Sequence, residues 1–191
     1  MKTVGIFSGS FNPVHIGHLA LANWLCEYDD MDEIWFLVTP RNPLKQSDGL
    51  IDFRQRFDWV KQAVSGYPRF RVSDIEATMP APSYTVRTLR KLQSTCPDCL
   101  FHLILGADNW MMIDQWKDSR TLLDEFPVRI YPRKGYEPVI PDDLPQVRKV
   151  DAPLMEISSS FIREAIKNGK DIRFFLPEAL RNEINRLKTI L

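Results

Sequence analysis

The sequence predicts an α/β fold: an open parallel sheet flanked by helices, with a small helical appendage at the C-terminal end. Three observations predict it. Short apolar runs alternate with helix-length amphipathic patterns along the first 150 residues. Several of the runs are almost continuously apolar, as strands covered on both faces require. Beyond residue 157 the pattern becomes helical without further strand signals.

The strand candidates are residues 3–7 (TVGIF), 33–38 (EIWFLV), 69–72 (RFRV), 100–105 (LFHLIL), 127–131 (PVRIY) and 147–150 (VRKV), and APLMEI (152–157) reads as a further extended run. Between them, residues 15–28 align Leu19, Ala22, Leu25 and Cys26 on one helical stripe. Residues 52–65 align Phe53, Phe57, Val60 and Val64, and residues 84–94 align Val86, Leu89 and Leu92. Trp24, Trp35 and Trp59 read as core, and His102 as a satisfied or partly exposed strand residue. Strand–helix alternation of this length gives βαβ units with right-handed crossovers, a Rossmann-like arrangement.

The tail is read as one helix at ISSSFIREAIKNGKD, capped by serines and stopped at Asn168-Gly169. A second starts near Pro177, with Leu180, Ile184, Leu187 and Leu191 as its stripe. At 191 residues, the chain is expected to be a single domain over 1–191, its C-terminal helical part covering about 157–191.

Composition excludes several classes. Twenty-five basic and 25 acidic residues cancel, so no global field recruits nucleic acid or an anionic membrane. No apolar stretch has the roughly 20 residues a membrane span needs. The N-terminal apolar run is too short for a secretory segment and reads as the first strand. Three cysteines, Cys26, Cys96 and Cys99, do not make a disulfide framework, and a reducing cytoplasm is the expected home. Cys96-Pro-Asp-Cys99 has no second pair and reads as two thiols ahead of a strand.

In an open parallel sheet, ligands sit at the carboxyl ends of the strands. The segments that follow the strands here are SGSFNPVHIGH, TPRNPLK, GADNW, PRKG and SSSFIR. Together they bring His15, His18, Lys45, Asp108, Arg133, serines 158–160 and Arg163 to one edge. A cluster of cations and hydroxyls in a neutral chain calls for a small polyanion, and nucleotide phosphates fit best. In GSFNPVHIGH, Gly9 and Ser10 turn the chain, Asn12-Pro13 ends the turn, and a helix begins near His15. Helix N-termini bind anions, and imidazoles three residues apart can donate to a phosphoryl oxygen. A zinc site is a poor fit, because no carboxylate or cysteine accompanies the two histidines. Ser158 and Arg163, on a second helix start, add hydroxyl and guanidinium donors. Trp116 is suited to stack on an aromatic ligand.

GSFNPVHIGH resembles the nucleotidyltransferase pattern G-x-F-x-P-x-H-x-G-H, and ISSSFIR resembles that superfamily's second element, I-S-S-T-x-I-R. GADNW, PSYTV followed by TL, and FFLPEAL resemble blocks of the bacterial nicotinate-nucleotide adenylyltransferase branch. The resemblance runs in order from residue 3 to about 187. It implies transfer of the adenylyl group of ATP to nicotinate mononucleotide, giving nicotinate adenine dinucleotide and pyrophosphate. It implies that Gly9, Ser10, Phe11, His15, His18, Lys45, Gly106, Asp108, Arg133, Ser158, Ser159 and Arg163 bind ATP, with His15, His18 and Arg163 catalytic. Asn12, Lys45, Thr85 and Trp116 would meet the acceptor. Mg²⁺ would be held mainly by the phosphates, with no protein metal site. The chain departs from the pattern at Ser8, Arg87, Lys134 and Ser160, where many members carry glycine, aspartate, proline and threonine. The alternatives are the same chemistry on nicotinamide mononucleotide or phosphopantetheine, and a non-catalytic nucleotide-binding module. Class I aminoacyl-tRNA synthetases also carry HIGH, but this chain has no K-M-S-K-S.

Overall fold

The computed structural model describes residues 1–40 and 49–183, with residues 187 and 189. Six parallel strands are joined in the order β3-β2-β1-β4-β5-β6. They are β1 (Lys2–Gly9), β2 (Glu33–Val38), β3 (Phe70–Ser73), β4 (Cys99–Gly106), β5 (Val128–Tyr131) and β6 (Val147–Lys149). The order reverses between β1 and β4, which pair directly in parallel register, Ile6 beside Leu103. That switch point opens a crevice beyond the carboxyl ends of these two strands.

One face of the sheet is covered by α1 (Ile16–Tyr28), α2 (Phe53–Val64) and α6 (Ser159–Lys167). Their buried side chains include Leu25, Trp59, Val60 and Ile162. Leu176, Leu180 and Leu187 join the same core, so the C-terminal segment packs on the α1 side. The other face is covered by α3 (Thr85–Thr95), the single turn α4 (Ala107–Trp110) and α5 (Ser119–Glu125), through Leu89, Trp110 and Leu122. The core strands Ile34 and Phe36 face one layer while Leu37 faces the other, as the two-residue period of a strand dictates.

Several details differ from the sequence reading or were not marked in it. APLMEI forms no strand: β6 ends at Lys149, and Pro153 lacks the N–H a ladder needs. The tail after Pro177 opens as a 3₁₀ turn over Glu178–Glu183, with the Leu180 N–H bonded to the Pro177 carbonyl; Ile184 and Leu191 of the expected stripe lie outside the described residues. The segment GADNWMMIDQWKDSRTLLDEF holds α4 and α5, too short to show a clear period. His102, on β4, is neither exposed nor satisfied: it is 5% exposed, and both ring nitrogens are buried without a hydrogen-bond partner. Trp59 is fully buried, whereas Trp24 and Trp35 are only partly so.

Candidate active site

Two cavities open at the carboxyl edge of the sheet. The first, about 620 Å³, is lined by the turn after β1, the N-terminal ends of α1 and α6, and Asp108, Arg133 and Lys134. The second, about 460 Å³, is lined by Thr85, Trp116, Gln115 and Glu76 on the α3 side. They share Ser8, Gly9, Ser10, Asn109 and Tyr131 as a common wall. The shared wall lies at the β1–β4 switch point.

The histidines are set by local geometry. His15 is the N-cap of α1, in extended backbone, so the helix begins one residue later than the motif suggests. Its N–H donates to Nδ1 of His18 at 3.2 Å. An accepting Nδ1 assigns the ring proton of His18 to Nε2, a hydrogen-bond donor in the neutral ring. The two rings stack, centroids 3.6 Å apart and planes 23° apart. Phe11 meets His18 edge-on at 5.0 Å and Phe7 does so at 5.8 Å, which fixes the outer imidazole from two further sides. His15 is 3% exposed, and burial, then the positive field of Arg133, pushes its pKa down to about 3. It is therefore neutral at physiological pH. Gly17 lies directly against this ring: a Cβ there would come within 3.1 Å of His15 Nδ1. The turn ahead of the histidines holds Phe11 in the left-handed region at φ 44°.

The second helix start locks onto the first motif. Ser158 caps α6 by accepting the Phe161 N–H at 3.1 Å. Ser159 Oγ donates to the Pro13 carbonyl at 2.9 Å. Arg163 Nη1 donates to the Asn12 carbonyl at 2.8 Å, and Nη2 donates to Ser160 Oγ. Among the described residues, no carboxylate pairs with Arg163. By contrast, Arg133 lies 3.6 Å from Asp108, and Lys134 pairs with Glu156 at 2.6 Å. Two helix N-termini and the Arg163 charge thus face one cavity, an anion site by dipole and by charge.

The structure also places the remaining candidates. Gly9, Ser10, Phe11, Asp108, Arg133, Ser158 and Ser159 line the first cavity, and Thr85 and Trp116 the second. Gly106 lines neither. It stands behind them, where a Cβ would collide with Asp108 and come within 3.1 Å of the Tyr131 ring. Asn12 borders the first cavity, but its side chain is spent on the backbone: Nδ2 donates to the Gly49 carbonyl at 2.8 Å and Oδ1 accepts the Ile51 N–H. Lys45 lies outside the described residues. Of the departures from the family pattern, Ser8 sits in the shared wall, Lys134 and Ser160 line the first cavity, and Arg87 stacks over the Tyr84 ring at 5.3 Å. Among the described residues, no group of three or more His, Cys, Asp or Glu is arranged to hold a metal ion, and no helix is long and apolar enough to cross a membrane.

Two contributors escaped the sequence reading. Tyr131 ends β5 inside the shared wall, and Arg133 Nη2 donates to its hydroxyl at 3.2 Å. Arg56 on α2 is fully buried. It donates to the carbonyls of Ile51, Ser10, Thr39 and Pro40 at 2.7 to 2.9 Å, tying the β1–α1 turn to both ends of the β2–α2 connection. A charged residue on the apolar stripe of α2, at i+3 from Phe53, was the available signal.

Comparison with known proteins shows the family and the fold. The cytidylyltransferase-like family model matches residues 6–165. A protein of Bacteroides fragilis named "Probable nicotinate-nucleotide adenylyltransferase" is 51% identical over 180 residues, 94% of this chain and 90% of that one. One of the same name from Bacteroides thetaiotaomicron is 54% identical over 177 residues, 92% and 87% of the two chains. Among solved structures, the nicotinic acid mononucleotide adenylyltransferase of Plasmodium falciparum complexed with NaAD shares the fold, with a TM-score of 0.79 at 20% identity over 97% of this chain and 96% of that one. A family model covering most of the chain, and relatives half identical over nearly its full length, place this protein in the cytidylyltransferase-like family, in its nicotinate-nucleotide adenylyltransferase branch.

Proposed function

We propose that the chain, acting as one nucleotidyltransferase domain, transfers the adenylyl group of ATP to nicotinate mononucleotide. The observation that carries this reading is the shared wall: two cavities, one cationic and one lined by Thr85 and Trp116, meet at Ser8, Gly9, Ser10, Asn109 and Tyr131. ATP occupies the first with its adenosine toward Gly106, Asp108 and Arg133. The acceptor's nicotinate ring stacks at Trp116, with Thr85 beside it. A phosphate oxygen of the acceptor then forms the new bond to the α-phosphorus as the bond to the pyrophosphate oxygen breaks. The acceptor phosphate is already an anion, so no general base is required.

Positioning and charge stabilisation supply the catalysis. His18 Nε2–H donates to the α-phosphoryl oxygens, its ring held by the His15 stack and the amide of His15. The turn at Gly9, Ser10 and Phe11 brings the α1 N-terminus to the phosphates. Ser158, Ser159 and Arg163 receive the departing pyrophosphate, and Lys45 reaches the triphosphate. Asn12 acts on the site by holding the backbone at residues 49–51. Mg²⁺ brought with ATP would neutralise phosphate charge, and it would be held mainly by the phosphates, since Asp108 and Glu156 are engaged with Arg133 and Lys134. With its three cysteines unpaired, the chain is suited to a reducing cytoplasm. Incubation with ATP, Mg²⁺ and nicotinate mononucleotide, nicotinamide mononucleotide or phosphopantetheine in turn tests the reading by pyrophosphate release. Release with nicotinate mononucleotide is expected.

A further inference from the structure

We infer that Glu76 works as a neutral carboxylic acid in the wall of the second cavity, and that the pocket admits an anionic acceptor well only while Glu76 keeps its proton. The inference rests on the proposed reaction for the identity of the acceptor, but not for the state of Glu76.

Glu76 lies in the 3₁₀ turn Ile75–Thr78, is 6% exposed, and borders the second cavity with Ser83, Tyr84 and Thr85. Its Oε1 is 3.0 Å from Thr88 Oγ, and that hydroxyl is also 3.3 Å from the Tyr84 carbonyl. A threonine hydroxyl has one hydrogen to give. An ionised Glu76 and the Tyr84 carbonyl would compete for it. A protonated Glu76 removes the competition: it donates to Thr88 Oγ, which donates to the Tyr84 carbonyl. The chain ends on the residue that caps α3 and precedes Thr85.

Two further observations agree. Glu76 Oε2 is buried without a hydrogen-bond partner, a position costly for a carboxylate oxygen and mild for the carbonyl oxygen of an acid. Among the described residues, no cation faces the group. The side chains bearing on it are the Thr88 and Ser83 hydroxyls, which only partly offset the upward push of burial. Along the same cavity Lys117 sits 3.5 Å from Asp118, and the phenols are Tyr84 and Tyr131. Arg87 of α3 stacks over Tyr84, and Asp74 precedes the turn. β2, packed on the same turn, carries its one carboxylate, Glu33, at its far end with Lys2 and Arg71.

The acceptor brings a carboxylate and a phosphate. An ionised Glu76 would add a third negative charge to a low-dielectric wall and draw the Thr88 hydroxyl away from Tyr84. The neutral acid does neither.

The test compares wild type, Glu76→Gln and Glu76→Ala between about pH 6 and about pH 9, measuring KM for nicotinate mononucleotide and for ATP. Glutamine keeps an N–H donor for Thr88 and carries no charge. The ratio of wild-type to Gln acceptor KM cancels the acceptor phosphate's own titration near about pH 6. That ratio is expected to rise roughly tenfold with pH, the size of a charge repulsion across about 12 Å at an effective dielectric near 20, while the ATP KM ratio stays flat. Glu76→Ala is expected to bind the acceptor poorly at every pH. A flat acceptor ratio, or a Gln variant as impaired as Ala throughout, would overturn the inference. Infrared difference spectra between wild type and Gln read the protonation state without turnover: the C=O stretch of a protonated carboxyl is expected in wild type at neutral pH. Its absence overturns the inference, whereas its presence in a chain inactive on nicotinate mononucleotide would overturn the proposed reaction instead.

Discussion

The Arg56 guanidinium donates to the Ser10 carbonyl at 2.7 Å, joining residues 46 positions apart. That bond fixes the turn that carries the shared wall from behind. The same side chain holds Ile51, Thr39 and Pro40 by their carbonyls, so one cation replaces the hydrogen bonds a regular element would supply. Burial lowers its pKa to about 10, which leaves it charged under physiological conditions.

Replacing Arg56 with Met should therefore unfold the sheet edge rather than trim it. Four carbonyls lose a buried donor, and the cost is about 3–5 kcal/mol, as for other buried charge networks. Thermal melting should show a midpoint lower by roughly 10 °C. A midpoint within error of wild type would show that the loops do not depend on this residue.

Removing the outer imidazole should act on chemistry more than on folding. His18→Ala deletes a donor to the developing charge and is expected to lower kcat by about 10²–10³. It also deletes the acceptor for the His15 amide, a loss of ~1 kcal/mol in stability. Steady-state kinetics beside a urea melt separate the two effects. Near-wild-type kcat would contradict the role given to Nε2.

Acid should weaken the fold through two imidazoles. Burial holds His15 at about 3 and His102 at about 4, both below the ordinary 6.5. The unfolded chain binds protons that the folded chain refuses. Their contribution is complete above about pH 6.5 and is lost as pH falls toward the folded values, by up to about 1.4 kcal/mol per pH unit for each ring. Glu76 has the opposite sign, since its pKa is raised. Urea melts of wild type and His102→Asn between about pH 7 and about pH 4 isolate the imidazole, and the variant should lose stability about half as steeply. Equal slopes would show that His102 is protonated in the fold.

The two cavities should separate in kinetics. Trp116→Ala is expected to raise the acceptor KM about tenfold by removing a stacking surface, with the ATP KM unchanged. Gly106→Ala is expected to do the reverse, because the added methyl displaces Asp108 from Arg133. Parallel changes in both constants would mean the cavities are not separate sites.

Much of this was legible in the sequence. Strands β1, β2 and β4 follow from nearly continuous apolar runs, because a strand buried on both faces leaves little room for polar residues, whereas β3 and β6, half exposed at the sheet edges, show only short mixed runs. The residues that line the first cavity follow from local signals: a glycine turn, a serine cap, paired histidines. What was not legible depends on contacts distant in sequence. Nothing near Asn12 shows that its amide is spent on Gly49 and Ile51, and nothing near Gly106 shows that it supports Asp108 from behind. The hydrogen-bond chain from Glu76 through Thr88 to Tyr84 becomes visible only when the turn after β3 packs on α3.

The central claim is that ATP and nicotinate mononucleotide meet across the wall of Ser8, Gly9, Ser10, Asn109 and Tyr131. Pyrophosphate release with purified protein, ATP, Mg²⁺ and each acceptor tests it most directly. Rapid release with nicotinate mononucleotide, with nicotinate adenine dinucleotide formed in equal amount and Arg163→Ala strongly impaired, is the predicted result. No release with nicotinate mononucleotide, or release that prefers phosphopantetheine, would contradict it.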